Sequence, residues 1–207
     1  MVRKAFKVAE TERPAAVYLA VPEHIDEDDT EYELQLLLRN VVRAEAPAAR
    51  QVARAVDILR TAQRPVLLAG HGAARSDATA ALVRFAEELG IRVANTFHGK
   101  CVMPDDHPNS IARWVSCGTT TVNFGFDNAD VVIAVGYELQ EFDPVRINPQ
   151  ADKKIIHIHR FPAEVDAHYS VAIGIIGDIS DSLNQLADAL SGCRFDDAEV
   201  PGSGLLA

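Results

Sequence analysis

Pro65-Val66-Leu67-Leu68-Ala69-Gly70-His71-Gly72-Ala73-Ala74-Arg75 joins an apolar run to a glycine-bracketed turn, and an amphipathic stretch follows it. A short apolar strand that ends in two glycines and leads into a helix is the local pattern of a nucleotide-type βα unit. In such a unit backbone N–H groups converge at the helix start, where the helix dipole favours an anion such as a phosphate. The same turn also occurs as a tight strand-to-helix connection that binds nothing, so the pattern predicts the unit before it predicts a ligand.

The rhythm continues on both sides of this unit. Apolar strands are predicted over residues 66–69, 91–96, 130–136, 154–159 and 171–176. Between them lie predicted helices over 77–89, with Leu82, Phe85, Ala86 and Leu89 on one face, over 118–128, and over 178–190, with Leu183, Leu186 and Leu190 on one face. A further helix opens at Pro47, in the first helical position, and runs through Val52, Val56 and Leu59 to Ala62. Gly90 is the expected helix stop, and residues 97–116 read as a long loop. Near-continuous Val, Ile and Leu strands separated by helices predict an α/β fold, doubly wound around a mainly parallel Rossmann-like sheet.

The N-terminal part breaks this rhythm. Residues 3–12 form a predicted helix and residues 15–21 a predicted strand closed by Pro22. One helix and one strand cannot bury both their faces, so this pair must dock on something else. The acid-rich stretch 23–31 is a solvated connector by composition, residues 34–42 fit either a helix or an extended linker, and the tail 191–207 lacks periodicity.

At 207 residues, with 48% hydrophobic and 24% charged, the chain can bury one good core but is short for two full domains. A formal net charge of -10 argues against nucleic acid and anionic membrane surfaces as partners, since both are bound through clustered Lys and Arg. The longest apolar runs fall far short of the about 20 residues that a membrane span needs. The first residues carry no signal-peptide pattern, so the cytoplasm is the expected location. Cys101, Cys117 and Cys193 are odd in number and widely spaced, which suits reduced thiols better than disulfides or zinc.

A conventional NAD site is not expected. The dinucleotide fingerprint needs a third glycine and an acid at the end of the second strand, whereas Arg75 stands at the former and Asn95-Thr96 at the latter.

Several separate segments, in chain order, resemble thiamine-diphosphate enzymes of the acetolactate synthase type. Ala5-Phe6-Lys7-Val8-Ala9 and Arg13-Pro14-Ala15-Ala16-Val17-Tyr18-Leu19-Ala20-Val21-Pro22 resemble the last helix and strand of that family's pyrimidine-binding domain. Arg64-Pro65-Val66-Leu67-Leu68-Ala69-Gly70-His71-Gly72-Ala73 resembles the opening of its central domain. Gly99-Lys100, Pro104-Asp105-Asp106-His107-Pro108, Asn128-Ala129-Asp130-Val131-Val132-Ile133-Ala134-Val135-Gly136 and Gly177-Asp178 extend the series.

The resemblance implies residues 1–25 as the end of a preceding pyrimidine-binding domain, 26–46 as linker, 47–192 as a Rossmann-like central domain and 193–207 as tail. It implies an enzyme part that spaces two catalytic domains and helps subunits pack into a homo-oligomer. The parent would decarboxylate a 2-keto acid such as pyruvate and transfer the two-carbon unit. In the family, thiamine diphosphate and Mg²⁺ are held by the other two domains, through an activating glutamate and a Gly-Asp-Gly motif with a downstream Asn. No Gly-Asp-Gly occurs here, and Gly177-Asp178-Ile179 reads as a capped helix start, so the chain alone is expected to be catalytically silent.

Some central domains of the family bind FAD or an adenine nucleotide and others bind nothing, so a stand-alone FAD- or ADP-binding module is the alternative. Its site would be Gly70, His71, Gly72, Arg75, Gly136 and Arg160. Against it, the family's Ile-Asp-x-Asp-Pro signature appears as Ile158-His159-Arg160-Phe161-Pro162, without either acid. Cys101 and Ile111-Ala112-Arg113-Trp114 also replace glycine-containing positions of many relatives.

Three further features carry competing readings. His157 and His159 share a strand face but have no carboxylates evidently arranged around them, which favours a satisfied or surface pair over a metal site. Cys101 beside Lys100 could be a low-pKa thiol, yet no base or orienting partner can be assigned to it. Glu138, Glu141 and Asp143 follow the strand ending at Gly136, where they either line a crevice that would repel a dinucleotide or form a solvated loop.

Overall fold

The computed structural model describes residues 1–10, 13–26, 44–112 and 126–195. The chain divides into two compact units, Met1–Arg43 and Ala44–Ala207. Expectations for residues 34–42, for 118–125 within the helix predicted over 118–128, for Arg113-Trp114 and for the tail from 196 onward lie outside the described residues.

The first unit holds α1 (Val2–Glu10) and the single turn α2 (Glu23–Asp26). Residues of α1 repeat their apolar character at helical spacing, but none is buried, and Phe6 is 64% exposed. The strand expected over 15–21 is not one: these residues carry no ladder pairing. The cause is physical, since a strand is defined by neighbours that satisfy its N–H and C=O groups, and this segment finds none among the described residues.

The second unit is a six-stranded sheet in the order β3-β2-β1-β4-β5-β6, every neighbouring pair parallel. The strands are β1 (Pro65–Ala69), β2 (Arg92–Asn95), β3 (Ser110–Ala112), β4 (Val131–Val135), β5 (Lys154–His159) and β6 (Val171–Ile176). The α/β, doubly wound expectation therefore holds. The three-residue strand β3 lies inside the stretch expected to be loop, too short for an apolar pattern to announce it.

Alternation splits each central strand between two cores, although the sequence reads as continuous apolar runs. Leu67, Ala69, Ile133, Val135, Ile156 and Ile158 face one cluster, whereas Val66, Leu68, Val132, Ala134 and Ile155 face the other. The first cluster is roofed by α3 (Ala49–Thr61), α5 (Thr79–Leu89) and α7 (Ile179–Ala189), through Val52, Leu59, Leu82, Phe85, Leu183 and Leu186. The opposite cluster is closed by Phe126, Tyr137, Tyr169 and the single turn α6 (Pro144–Ile147), so among the described residues its cover is mostly loop.

Element ends follow local chemistry, with two shifts from expectation. Pro47 precedes α3 instead of opening it, because Ala48 takes the extended cap conformation and α3 begins at Ala49. The helix expected from Asp77 starts at Thr79, because Asp77 adopts φ 51 between the short α4 (His71–Arg75) and α5. Gly90 closes α5 at φ 68, in the left-handed region that suits glycine, and the Asp178 carboxylate accepts from the Asp181 amide at 3.0 Å to cap α7.

Phe85 is fully buried and Phe97 is 59% exposed. Phe85→Ala is expected to cost about 3–5 kcal/mol and Phe97→Ala less than about 0.5 kcal/mol in urea denaturation. Equal costs would place the core elsewhere.

Candidate functional site

The strand order reverses between β1 and β4, the position where parallel sheets of this kind open a crevice at their carboxyl ends. Here two turns meet at that position. The Gly70 amide donates to the Val135 carbonyl at 2.9 Å and the Gly72 amide to the Gly136 carbonyl at 2.8 Å. Gly136 sits at φ 62, and a Cβ there would lie 2.1 Å from the Ala73 nitrogen. A Cβ on Gly72 would lie 2.8 Å from the Gly136 Cα. The glycines thus allow backbone to pack on backbone.

The anion expected at this turn is supplied by the chain itself. The Glu141 carboxylate accepts from the His71 amide at 2.8 Å, from the Thr96 hydroxyl at 2.6 Å and from the Glu138 amide at 2.9 Å. Thr96 is buried at the end of β2, and its hydroxyl in turn accepts from the Gly99 amide at 2.8 Å. One carboxylate therefore ties the β1 turn, the end of β2 and the loop after β4. Glu138 and Glu141 form a reciprocal capping box around the 3-10 turn Leu139–Glu141, which aims the Glu141 side chain back at the sheet edge.

Beside this knot lies a buried polar group of residues. His157 and His159 are each 3% exposed, and their rings stack at 5.5 Å with 6° between planes. His157 Nδ1 lies 2.9 Å from the Tyr169 hydroxyl and Nε2 lies 3.1 Å from the Phe161 carbonyl oxygen. His159 Nδ1 accepts from the Phe161 amide at 3.2 Å. The pair is buried, not at the surface, and one expectation needs correction: a carboxylate is arranged beside it, with Glu138 Oε1 3.7 Å from His159 Nε2. Consecutive strand ends place residues 138 and 159 side by side, a proximity that sequence distance hides.

Tyr137 donates to the Phe142 carbonyl, and its ring lies 5.3 Å from that of Tyr169. Burial, followed by the charges of Glu141, Asp143 and Asp166, pushes the Tyr137 phenol well above its ordinary range. Burial also raises Tyr169, with smaller contributions from Tyr137 and Glu141.

The profile of the family described as "Thiamine pyrophosphate enzyme, central domain" matches residues 52–186. The chain belongs to this family. A protein named "Probable acetolactate synthase large subunit" from Methanocaldococcus jannaschii is 31% identical over 209 residues, covering 96% of this chain and 34% of that protein. The "3D-(3,5/4)-trihydroxycyclohexane-1,2-dione hydrolase" of Lacticaseibacillus casei is 30% identical over 198 residues, covering 92% of this chain and 30% of that protein. A solved structure of a protein described as a thiamin diphosphate-dependent enzyme, from Mycobacterium smegmatis, superposes with a TM-score of 0.73 at 24% identity. It covers 97% of this chain and 38% of that one, and shows the same fold. The chain spans about a third of the length of the curated relatives it matches.

In this thiamine pyrophosphate enzyme central domain, four of the six predicted site residues converge: Gly70, His71, Gly72 and Gly136 meet where β1 and β4 end. Arg75 is exposed at the end of α4, and Arg160 is partly exposed directly after His159. Cys101 is exposed and adopts φ 73, a conformation that glycine takes more readily than a residue with a side chain. Thr96 and Glu141 were not among the predicted site residues. The spacing of Glu138 and Glu141 was the available signal, since an acid three residues after a capping position marks a capping box.

Gly136→Ala is expected to destabilise the central domain by about 3 kcal/mol or more, from the left-handed backbone and the clash with Ala73. Gly174→Ala, whose added methyl would meet only the Ile176 Cδ1 at 3.7 Å, should stay within about 1 kcal/mol. Chemical denaturation distinguishes the two. The raised tyrosines set a second expectation. Their phenolates are disfavoured in the folded state, so the unfolded chain loses these protons first and stability falls as pH rises above about 10. Tyr169→Phe should flatten that decline in urea denaturation between pH 9 and 10.5. An unchanged slope would mean that these phenols do not set it.

Proposed function

We propose that this chain is the architectural spacer of an acetolactate-synthase-like enzyme. It sets the distance between catalytic domains and takes part in packing subunits of a cytoplasmic homo-oligomer. The parent decarboxylates a 2-keto acid such as pyruvate and transfers the resulting two-carbon unit, with thiamine diphosphate and Mg²⁺ held by its other domains.

The residues of this chain do not fit that cofactor pair. The sequence contains no Gly-Asp-Gly, and among the described residues no three His, Cys, Asp or Glu side chains converge to hold a metal ion. A diphosphate needs its divalent cation ligated by carboxylate and amide oxygens, which the other domains of the family provide.

The observation that carries the reading is Glu141. Its carboxylate takes the His71 amide at the turn where a nucleotide phosphate would need that donor, so a phosphate would meet a like charge there. The exposed Arg75 and the partly exposed Arg160 are the remaining cations of the alternative FAD or ADP site, which this arrangement disfavours.

Isothermal calorimetry with thiamine diphosphate and Mg²⁺ should give no binding heat with this chain, and neither FAD nor ADP should move its melting temperature. Saturable binding of thiamine diphosphate would overturn the spacer reading, and a melting shift with FAD or ADP would favour the nucleotide module.

A further inference from the structure

We propose that His157 is a pH-sensitive latch that holds the β5–β6 crossover closed when neutral and releases it when protonated. Parallel neighbours need a crossover, which is usually a helix that covers one sheet face. Residues 160–170, between β5 and β6, contain no helix. They cover the second core instead through Ala163 and Tyr169, the latter 3% exposed.

Both ends of this crossover are fastened to one imidazole. His157 Nε2 lies 3.1 Å from the Phe161 carbonyl oxygen, near the start, and Nδ1 lies 2.9 Å from the Tyr169 hydroxyl, near the end. A carbonyl oxygen only accepts, so Nε2 carries the proton. In the neutral ring Nδ1 is then bare, and the Tyr169 hydroxyl donates to it. Protonation replaces this acceptor with a donor that faces the hydroxyl proton. Tyr169 must then turn that proton away inside the core, and a buried cation is created.

The stacked neighbour strengthens the effect. His159 Nδ1 accepts from the Phe161 amide at 3.2 Å, so a proton at that nitrogen would also remove a crossover contact. With the two rings 5.5 Å apart, charging both places two cations face to face.

The charged groups around the pair act in both directions. Glu138, 3.7 Å from His159 Nε2, favours a cation, as do Glu141 and Asp143 after β4 and Asp166 in the crossover, whose charges act on Tyr137. Arg160, directly after His159, opposes one. Tyr137 and Tyr169 remain neutral, since burial raises both phenols. His168 Nδ1 lies 3.0 Å from the Asn148 carbonyl oxygen, so it already bears a proton and its contact survives acid. β6 presents no titratable side chain to the pair. The carboxylates reduce the cost of charge but do not replace the hydrogen bonds of the neutral ring. Water does, once the crossover opens, and the sheet need not unfold.

Hydrogen–deuterium exchange of the whole chain at pH 7.5 and 5.5, corrected for the intrinsic pH dependence of exchange, tests the latch. Peptides within residues 160–170 should lose protection by at least about tenfold at pH 5.5, the effect of one pH unit of uncompensated proton uptake. Peptides over β1 and β4 should not change. His157→Gln keeps a donor and an acceptor without titrating, and should remove the pH effect. If that variant does not fold, Tyr169→Phe serves in its place, with the crossover already less protected at pH 7.5 and a reduced difference between the two pH values. Equal wild-type protection at both pH values, a loss shared by β1 and β4, or a full pH effect in the folded variant would overturn the proposal.

Discussion

Two backbone turns touch at the strand-order reversal, and the geometry of the sheet edge depends on that contact. The Gly72 amide reaches the Gly136 carbonyl at 2.8 Å, and neither turn has room for a side chain at the point of approach. In a parallel sheet the ends of the two central strands diverge into different connections, so the crevice between them is usually where a ligand completes the surface. Here the protein completes it. α4 starts directly at the contact, and its short length and the Asp77 kink that follows let the chain clear Gly136 before α5 lies down on the sheet.

Electrostatics at this edge follow from the same contact. A glycine turn at a helix start presents N–H groups that need an acceptor, and an internal carboxylate meets that need without diffusion, affinity or concentration entering. Glu141 also joins three separate segments, a cross-link that a bound phosphate could provide only while bound. The arrangement is in keeping with the proposed role as a spacer, since a shared fold does not by itself fix a ligand site.

The two faces of the sheet are built differently. Three helices roof the first with apolar side chains, whereas the second, among the described residues, is covered mostly by loops and carries His157, His159, Tyr137 and Tyr169 on its side of the sheet. Loops cannot satisfy their own backbone groups as helices do, and buried side-chain donors and acceptors take over that task. The polar residues of the second face are therefore what a crossover without a helix requires, and they bring titratable groups into the core.

Much of the fold was legible in the chain. Runs such as 131–135 and 154–159 identify buried parallel strands, and Leu82, Phe85 and Leu89 mark the buried face of a helix, because these patterns depend only on neighbours a few residues away. The order of the segments from Arg64 to Asp178 carried the family resemblance that the central-domain profile match then showed. The strand over 15–21 and the short β3 were misread because each depends on whether a partner strand lies alongside, which local pattern does not encode. The candidate site was half legible: the sequence singles out Gly70, Gly72 and Gly136, but not what lies against them. That was decided by register between β1 and β4 and by the direction of the loop after β4. Together these bring Glu141, some 70 residues away in the chain, onto the His71 amide. By itself the sequence determined that these glycines make a turn at the edge of a parallel sheet. Only the tertiary structure decided that the turn faces another part of its own chain, because the competition between a foreign anion and an internal carboxylate is settled by distance in space.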